Sequence, residues 1–173
     1  VAGDARPHDA RAHRAGSDPG RLRAAMAGAA AEFFHGVRPH DSNGRRACRS
    51  FAVGGIRREA EAGLPAVFEL AWPCYAGLLR RKGDRQRAEL QAMARLMQAL
   101  EDTTALHRCG PSGLDRLRRD GRELQARLER GDDPRAFLLS CNAAYRRLGL
   151  TMGGVADCLA LTFALHACFA DDD

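Results

Sequence analysis

Residues 101–110 (EDTTALHRCG) place acids, hydroxyls, an imidazole and a guanidinium close together in the chain. Asp102 and His107 are side chains that can move protons, and Arg108 can hold phosphate oxygens with its planar fork. If the preceding helix continues through this stretch, Thr103 and His107 lie on the face that carries its leucines. The alternative hypothesis is structural, with His107 capping that helix and the threonines bonding to the backbone.

A second polar group begins at Gly153 and Gly154, just before a long apolar segment. Glycines at the start of a helix leave its first amides open to a phosphate or carboxylate, which the helix dipole favours. Asp157 lies in the first turn, on a face that otherwise carries small side chains. In the structural alternative, Asp157 only caps the helix and the glycines form a tight turn.

The composition indicates the fold that must position these residues. Five Val, one Ile and four Thr in 173 residues are too few for a sheet, whereas Ala, Leu and Arg are abundant. The chain is long enough for one domain with a sizeable core. We therefore predict an all-α, single-domain helical bundle of about six to seven helices, with a buried C-terminal helix.

Helical periodicity and punctuation by Gly, Pro and Asp give the order of the elements. Residues 1–20 are predicted to be a flexible arm, 21–170 the helical domain and 171–173 a frayed tail; residues 36–55 form a loop or a short broken helix. Pro73 should kink or split its helix, and Gly121 should weaken its own. The predicted helices are Arg21–His35, Ile56–Ala62, Ala66–Arg81, Arg85–His107, Ser112–Arg130, Arg135–Leu148 and 154–170.

The charge and the cysteines narrow the classes of function. The formal net charge is +5, and Lys82 is the only lysine among 27 basic residues. This surplus suits polyanionic small molecules or nucleic acid, but Trp72 is the only tryptophan and no aromatic-interleaved basic patch is visible. Six cysteines without a C-x-x-C pair predict neither a zinc site nor a disulfide framework. We therefore expect a reducing compartment, the cytoplasm. The apolar segment 154–170 is short for a membrane span and contains charge.

Three segments resemble motifs of the triphosphoribosyl-dephospho-CoA synthase family, in the family's order. Residues 53–67 (VGGIRREAEAGLPAV) are similar to its G-x-x-G-E-A-x-x-G-F-P-x-V segment. Residues 102–110 (DTTALHRCG) resemble D-T-N-x-L-H-R-G-G, and residues 150–160 (LTMGGVADCLA) resemble L-S-P-G-G-S-A-D-L-L-A. Two further family motifs, K-P-G-L-V-D and G-G-x-N-T-H-K-G, have no counterpart here. The resemblance therefore suggests the C-terminal part of such an enzyme.

The resemblance implies transfer of the triphosphoribosyl group of ATP to the 2′-hydroxyl of 3′-dephospho-CoA, with release of adenine. The product would be the prosthetic-group precursor for an acyl carrier protein of citrate lyase or malonate decarboxylase. The implied catalytic residues are Asp102, His107 and Asp157, and Asp102 and Asp157 are also candidate Mg²⁺ ligands. The implied substrate- or phosphate-binding residues are Arg58, Glu59, Thr103, Arg108, Gly110, Gly153 and Gly154.

Two alternatives remain open. The chain could be an inactive remnant of that family, because the two other family motifs are missing. It could also be a non-catalytic helical module that binds nucleic acid or a partner protein, which the arginine surplus favours and the scarcity of aromatic residues opposes.

Overall fold

The computed structural model describes residues 18–36 and 42–169. These residues form eight helices, and no strand occurs among them, so the all-α prediction is confirmed with one helix more than expected. Residues 1–17 of the predicted arm and the predicted tail 171–173 lie outside the described residues. The helices are α1 (Pro19–Gly36), α2 (Asn43–Phe51), α3 (Gly55–Glu61), α4 (π-helical Ala66–Ala71, then α-helical Trp72–Lys82), α5 (Arg85–Ala99), α6 (Thr103–Arg130), α7 (Arg135–Leu148) and α8 (Gly153–Phe169).

The main core lies where α4, α5, α6 and α8 meet. Val67, Leu96, Leu117 and Val155 are all fully buried in it. Burying a side chain of this kind stabilises the fold by about 1.5–3 kcal/mol. The four helices are therefore held together by one apolar cluster, which fixes the position of their ends.

The C-terminal helix α8 is buried along one face only. Its buried residues are Val155, Cys158, Thr162 and Leu165. The opposite face, which carries Asp157 and several alanines, is exposed. The prediction of a buried helix thus holds for half of α8, because alanines add apolar character to a sequence without requiring burial.

The predicted helix Arg85–His107 is wrong, because α5 ends at Ala99 and α6 begins at Thr103. Leu100 is extended, and Asp102 is the N-cap of α6, accepting hydrogen bonds from the first amides of that helix. A side chain at the N-cap position satisfies amides that would otherwise lack partners. His107 consequently lies in the second turn of α6 rather than capping the end of α5.

Helix α6 bends at Gly110, whose φ of 64° and ψ of −164° are not helical, and then packs back against α5. The helix continues through Gly121 without a break. An added Cβ there would lie 2.8 Å from Cβ of Met97 and 3.0 Å from the carbonyl oxygen of Ala94. The glycine is required because the backbones of α5 and α6 come close together at this point.

The connection between α3 and α4 contains two residues with left-handed φ, Gly63 at 74° and Leu64 at 54°. The two helices meet at 76° as a result of this turn. Pro73 does not split α4, because Ala71 and Trp72 just before it keep helical φ and ψ. The helix is instead wound as a π-helix immediately before the proline, with the amide of Trp72 bonded to the carbonyl of Val67.

Among the described residues, no single helix is long and apolar enough to cross a membrane. The bent pair formed by α3 and residues 66–81 reaches the length and apolar composition of a membrane span only when its two helices are counted together. All six cysteines are free.

We predict that Gly121→Ala lowers the free energy of unfolding by about 1–3 kcal/mol, because the new methyl group overpacks the contact between α5 and α6. Gly77→Ala is the matched control, since its Cβ would meet nothing closer than 3.7 Å, and it should raise stability by up to about 1 kcal/mol. Chemical denaturation followed by circular dichroism measures both. Equal effects of the two substitutions would contradict the close packing at Gly121.

Candidate active site

Glu101 connects the start of α6 to the start of α3. Its Oε2 accepts hydrogen bonds from the amides of Gly54 at 2.9 Å and Gly55 at 3.2 Å. The same oxygen lies 2.8 Å from Nη2 of Arg58. Gly55 is the residue that permits this approach, because its φ is +57° and an added Cβ would lie 2.5 Å from Cγ2 of Thr103.

Asp102 connects the start of α6 to the start of α8. Its Oδ1 accepts hydrogen bonds from the amides of Thr104 at 2.9 Å and Ala105 at 3.1 Å, and from the Thr104 hydroxyl at 2.6 Å. Its Oδ2 accepts a hydrogen bond from the amide of Val155 at 3.0 Å. Only 2% of Asp102 is exposed. These four donors stabilise the buried charge, so the carboxylate is held in one position by both helices.

The amides at the start of α8 are bonded within the protein. Gly153 donates to Oγ1 of Thr104 at 2.8 Å, and Val155 donates to Asp102. The prediction that this helix presents open amides to a phosphate is therefore wrong for Gly153. The carboxylate of Asp102 occupies the place at the helix N-terminus where an external anion was expected.

A cavity of about 220 Å³, which we call the central cavity, lies where these helix ends meet. Four carboxylates and two guanidinium groups line it, so its formal charge is negative. Its charged lining residues are Arg58, Glu59, Glu101, Asp102, Arg118 and Asp157. Glu59 is held in place because its Oε1 accepts a hydrogen bond from the amide of Ala66 at 2.5 Å.

A second cavity of about 320 Å³, the flanking cavity, lies on the other side of Thr103 and Thr104. His107 and Arg108 line it, and both side chains are exposed. The two threonines also line the central cavity, so the two spaces share a wall. His107 and Arg108 each lie four residues beyond one of these threonines, on the same face of α6, which explains why all four side chains line the flanking cavity.

The structure brings most of the predicted site residues together. Six of them line the central cavity, namely Arg58, Glu59, Asp102, Thr103, Gly154 and Asp157. His107 and Arg108 line the flanking cavity. Gly153 supports Thr104, and Gly110 lies at the kink of α6, in the wall of neither cavity. Asp157 is exposed and has no hydrogen bond or ion pair with any described residue.

Sequence reasoning missed two charged residues of the central cavity. Glu101 begins the polar stretch 101–110, but nothing in the sequence shows that its carboxylate accepts hydrogen bonds from the amides of Gly54 and Gly55. Arg118 lies outside all three motifs, and α6 brings it to the cavity. The Nε of Arg118 is buried and has no hydrogen-bond partner among the described residues.

The negative charge of the central cavity also acts on a neighbouring thiol. Burial raises the pKa of Cys158 to about 12, and the charges of Glu59, Asp157 and Asp102 add to the increase. Burial likewise raises the pKa of Cys48, with a further increase caused by Glu101. The carboxylates of the cavity thus add to the effect of burial in disfavouring a thiolate at both positions, although the charge of Arg58 acts in the opposite direction on the pKa of Cys48.

The described residues contain no group of three or more His, Cys, Asp or Glu placed to hold a metal ion. The central cavity nevertheless contains carboxylate oxygens, which are the ligands that Mg²⁺ prefers. Protein sites that bind Mg²⁺ together with nucleotide phosphates often supply only one or two carboxylates. The donor set fits an ion of that kind rather than one enclosed by protein ligands.

The fold and the site define an all-α protein with an acidic cavity at a junction of helix N-termini. The chain belongs to the ATP:dephospho-CoA triphosphoribosyl transferase family, whose sequence model matches residues 10–172. This finding confirms the family suggested by the three motifs. No solved structure matches the chain.

Several curated proteins are similar to this chain. A probable 2-(5″-triphosphoribosyl)-3′-dephosphocoenzyme-A synthase of Stutzerimonas stutzeri is 36% identical over 148 residues, which is 82% of this chain and 50% of the relative. A protein of Klebsiella pneumoniae named 2-(5″-triphosphoribosyl)-3′-dephosphocoenzyme-A synthase is 34% identical over 125 residues, or 72% of this chain and 45% of the relative. The chain thus spans about half the length of these relatives.

We predict that Asp102→Asn lowers the free energy of unfolding by roughly 1–3 kcal/mol, because the amide nitrogen cannot accept the hydrogen bonds that the lost oxygen accepted. Asp157→Asn, the matched control, should change stability by less than about 0.5 kcal/mol, since Asp157 is exposed and has no described partner. Urea denaturation of both variants measures the difference. A fully stable Asp102→Asn variant would show that the carboxylate does not hold α6 and α8 together.

Proposed function

We propose that this chain carries a site that transfers the triphosphoribosyl group of ATP to the 2′-hydroxyl of 3′-dephospho-CoA and releases adenine. One observation carries the proposal: residues from three separate motif segments line the central cavity, namely Gly55, Ile56, Arg58 and Glu59 from the first, residues 102–104 from the second, and Gly154 and Asp157 from the third. The names of the relatives from Stutzerimonas stutzeri and Klebsiella pneumoniae support the same product.

The charge of the central cavity suits this chemistry. Breaking the bond between ribose and adenine passes through an oxocarbenium-like transition state, which carries positive charge. Fixed carboxylates such as Glu59 and Asp102 stabilise that charge without having to reorient. An acidic cavity of this kind therefore favours the transition state over the neutral ribose of the substrate.

In the proposed step, the 2′-oxygen of the acceptor forms a bond to ribose C1 as the bond from C1 to adenine breaks. Asp157 accepts the hydroxyl proton, because it is exposed and no described residue occupies its oxygens. His107 donates a proton to the departing adenine, since an imidazolium is a proton donor and His107 lines the flanking cavity, which shares Thr103 and Thr104 with the central cavity. Asp102 is a positioning residue in this scheme, because its oxygens are engaged in holding the helices.

The triphosphate of ATP needs positive partners outside the four carboxylates. Arg108 in the flanking cavity and Arg118 in the central cavity are suitable, because neither forms an ion pair with a described residue. A guanidinium group binds two phosphate oxygens at once. Mg²⁺ bound to the phosphates would neutralise phosphate charge beside the acids, and in a scheme where another group is the base, Asp157 would be the carboxylate with oxygens available to hold this ion.

We further propose that the product is the precursor of the prosthetic group of an acyl carrier protein of malonate decarboxylase or citrate lyase. This part of the proposal rests on the motif resemblance alone.

The test is to incubate the purified chain with ATP, 3′-dephospho-CoA and Mg²⁺ and to follow adenine and the triphosphoribosylated product by mass spectrometry. We expect equal amounts of the two products. A folded chain that releases no adenine would contradict the proposal that these residues suffice for transfer.

We expect Asp157→Asn to lower kcat/KM by about 10²- to 10⁴-fold, the usual effect of removing a general base. Asp115→Asn is the matched control, because Asp115 is an exposed carboxylate of α6 that lines neither cavity. Full activity of Asp157→Asn would exclude Asp157 as the base and leave another group to accept the proton.

A further inference from the structure

A third cavity, of about 730 Å³, lies beside the central cavity and is lined mainly by α2 and α3. The two cavities share Ile56, Arg58 and Thr103 in their walls. Four arginines and one glutamate are the charged residues of its lining, so its formal charge is positive: Arg45, Arg49, Arg57, Arg58 and Glu61. We call it the basic cavity, and its charge is opposite to that of its neighbour.

The arginines of the basic cavity differ in their partners. Nε of Arg57 lies 2.9 Å from Oε1 of Glu61, and its guanidinium stacks on the ring of Phe34 at 5.2 Å. Arg58 pairs with Glu101. The guanidinium of Arg45, by contrast, has no hydrogen bond or ion pair with a described residue. The half-buried Arg45 is therefore the group most available to an anion.

The rest of the lining is largely apolar. Phe34, Val53 and Ile56 contribute to it, and 42% of the Ile56 side chain is exposed. An exposed isoleucine beside arginines suits a ligand with both an apolar portion and phosphates. A bare triphosphate would leave these apolar side chains without a partner.

We propose that the basic cavity binds the acceptor substrate, a nucleotide whose diphosphate carries a long, weakly polar arm, as in 3′-dephospho-CoA. Arg45 holds the diphosphate, and the arm lies along Val53 and Ile56. This inference rests on the proposed function, which requires two phosphate-bearing substrates to meet at one ribose. The shared wall at Ile56, Arg58 and Thr103 would then bring the acceptor hydroxyl to the central cavity, where the donor ribose binds.

The test measures binding of 3′-dephospho-CoA to the full chain by titration calorimetry without ATP, so that no turnover is needed. Arg45→Ala should raise the Kd for 3′-dephospho-CoA about tenfold, the effect of losing one charge-assisted hydrogen bond. The Kd for ATP, titrated separately, should change by less than about twofold. The control is Arg95→Ala, because Arg95 is an exposed arginine on α5 outside all three cavities.

A second variant tests the apolar wall. Ile56→Ser should weaken 3′-dephospho-CoA more than ADP, because ADP has the diphosphate but lacks the arm. Circular dichroism should show both variants folded, since Ile56 and Arg45 are not part of the main core. Equal losses for the two ligands would overturn the placement of the arm.

The remaining outcomes decide between occupants. The assignment is overturned if Arg45→Ala leaves acceptor binding unchanged, if it weakens ATP equally, or if Arg95→Ala has the same effect. Binding of a generic single-stranded oligonucleotide more tightly than 3′-dephospho-CoA, with loss in salt, would indicate a nucleic-acid site instead. Arg45-dependent acceptor binding by a chain that releases no adenine would support the basic cavity while rejecting the proposed transfer.

Discussion

The arrangement of the site depends on two adjacent carboxylates, Glu101 and Asp102, in the short connection between α5 and α6. Glu101 binds amides at the start of α3, and Asp102 binds amides at the starts of α6 and α8. Helix N-termini carry partial positive charge, so they can hold buried carboxylates without a cation beside each one. The oxygens of Asp102 are bonded to backbone amides and a hydroxyl group rather than to a cation. The three helices that the main core brings together can therefore surround a cavity that remains acidic.

Charge is separated across the wall formed by Thr103 and its neighbours. The central cavity has a surplus of carboxylates, and the adjoining basic cavity has a surplus of arginines. The carboxylates of the first repel a phosphate and the arginines of the second attract it, whereas a positive charge has the opposite preference. Neighbouring regions of opposite sign would therefore orient the proposed acceptor, with its phosphates on the basic side and its reacting hydroxyl on the acidic side.

Much of this was predictable, and the failures have physical causes. The motifs that contain Arg58, Asp102 and Asp157 were recognised in the sequence, and these three residues do line one cavity. The break before α6 was missed because the apolar period of α5 continues into residue 100, so only the Asp-Thr-Thr cap marked the boundary. Arg118 was missed because no local pattern distinguishes it from the other arginines of α6. Long-range contacts, such as that between Asp102 and Val155, have no sequence signature.

The attachment of α8 through Asp102 has a thermodynamic consequence. If α8 detached, the amides of Gly153 and Val155 would lose their acceptors on Thr104 and Asp102, and Gly154 and Asp157 would leave the wall of the central cavity. Occupancy of the cavity and docking of this last helix are therefore linked equilibria, and each favours the other by the same free energy. A ligand that contacts both α6 and α8 would therefore keep α8 docked, and it would slow hydrogen exchange along α8 even at amides that it does not touch.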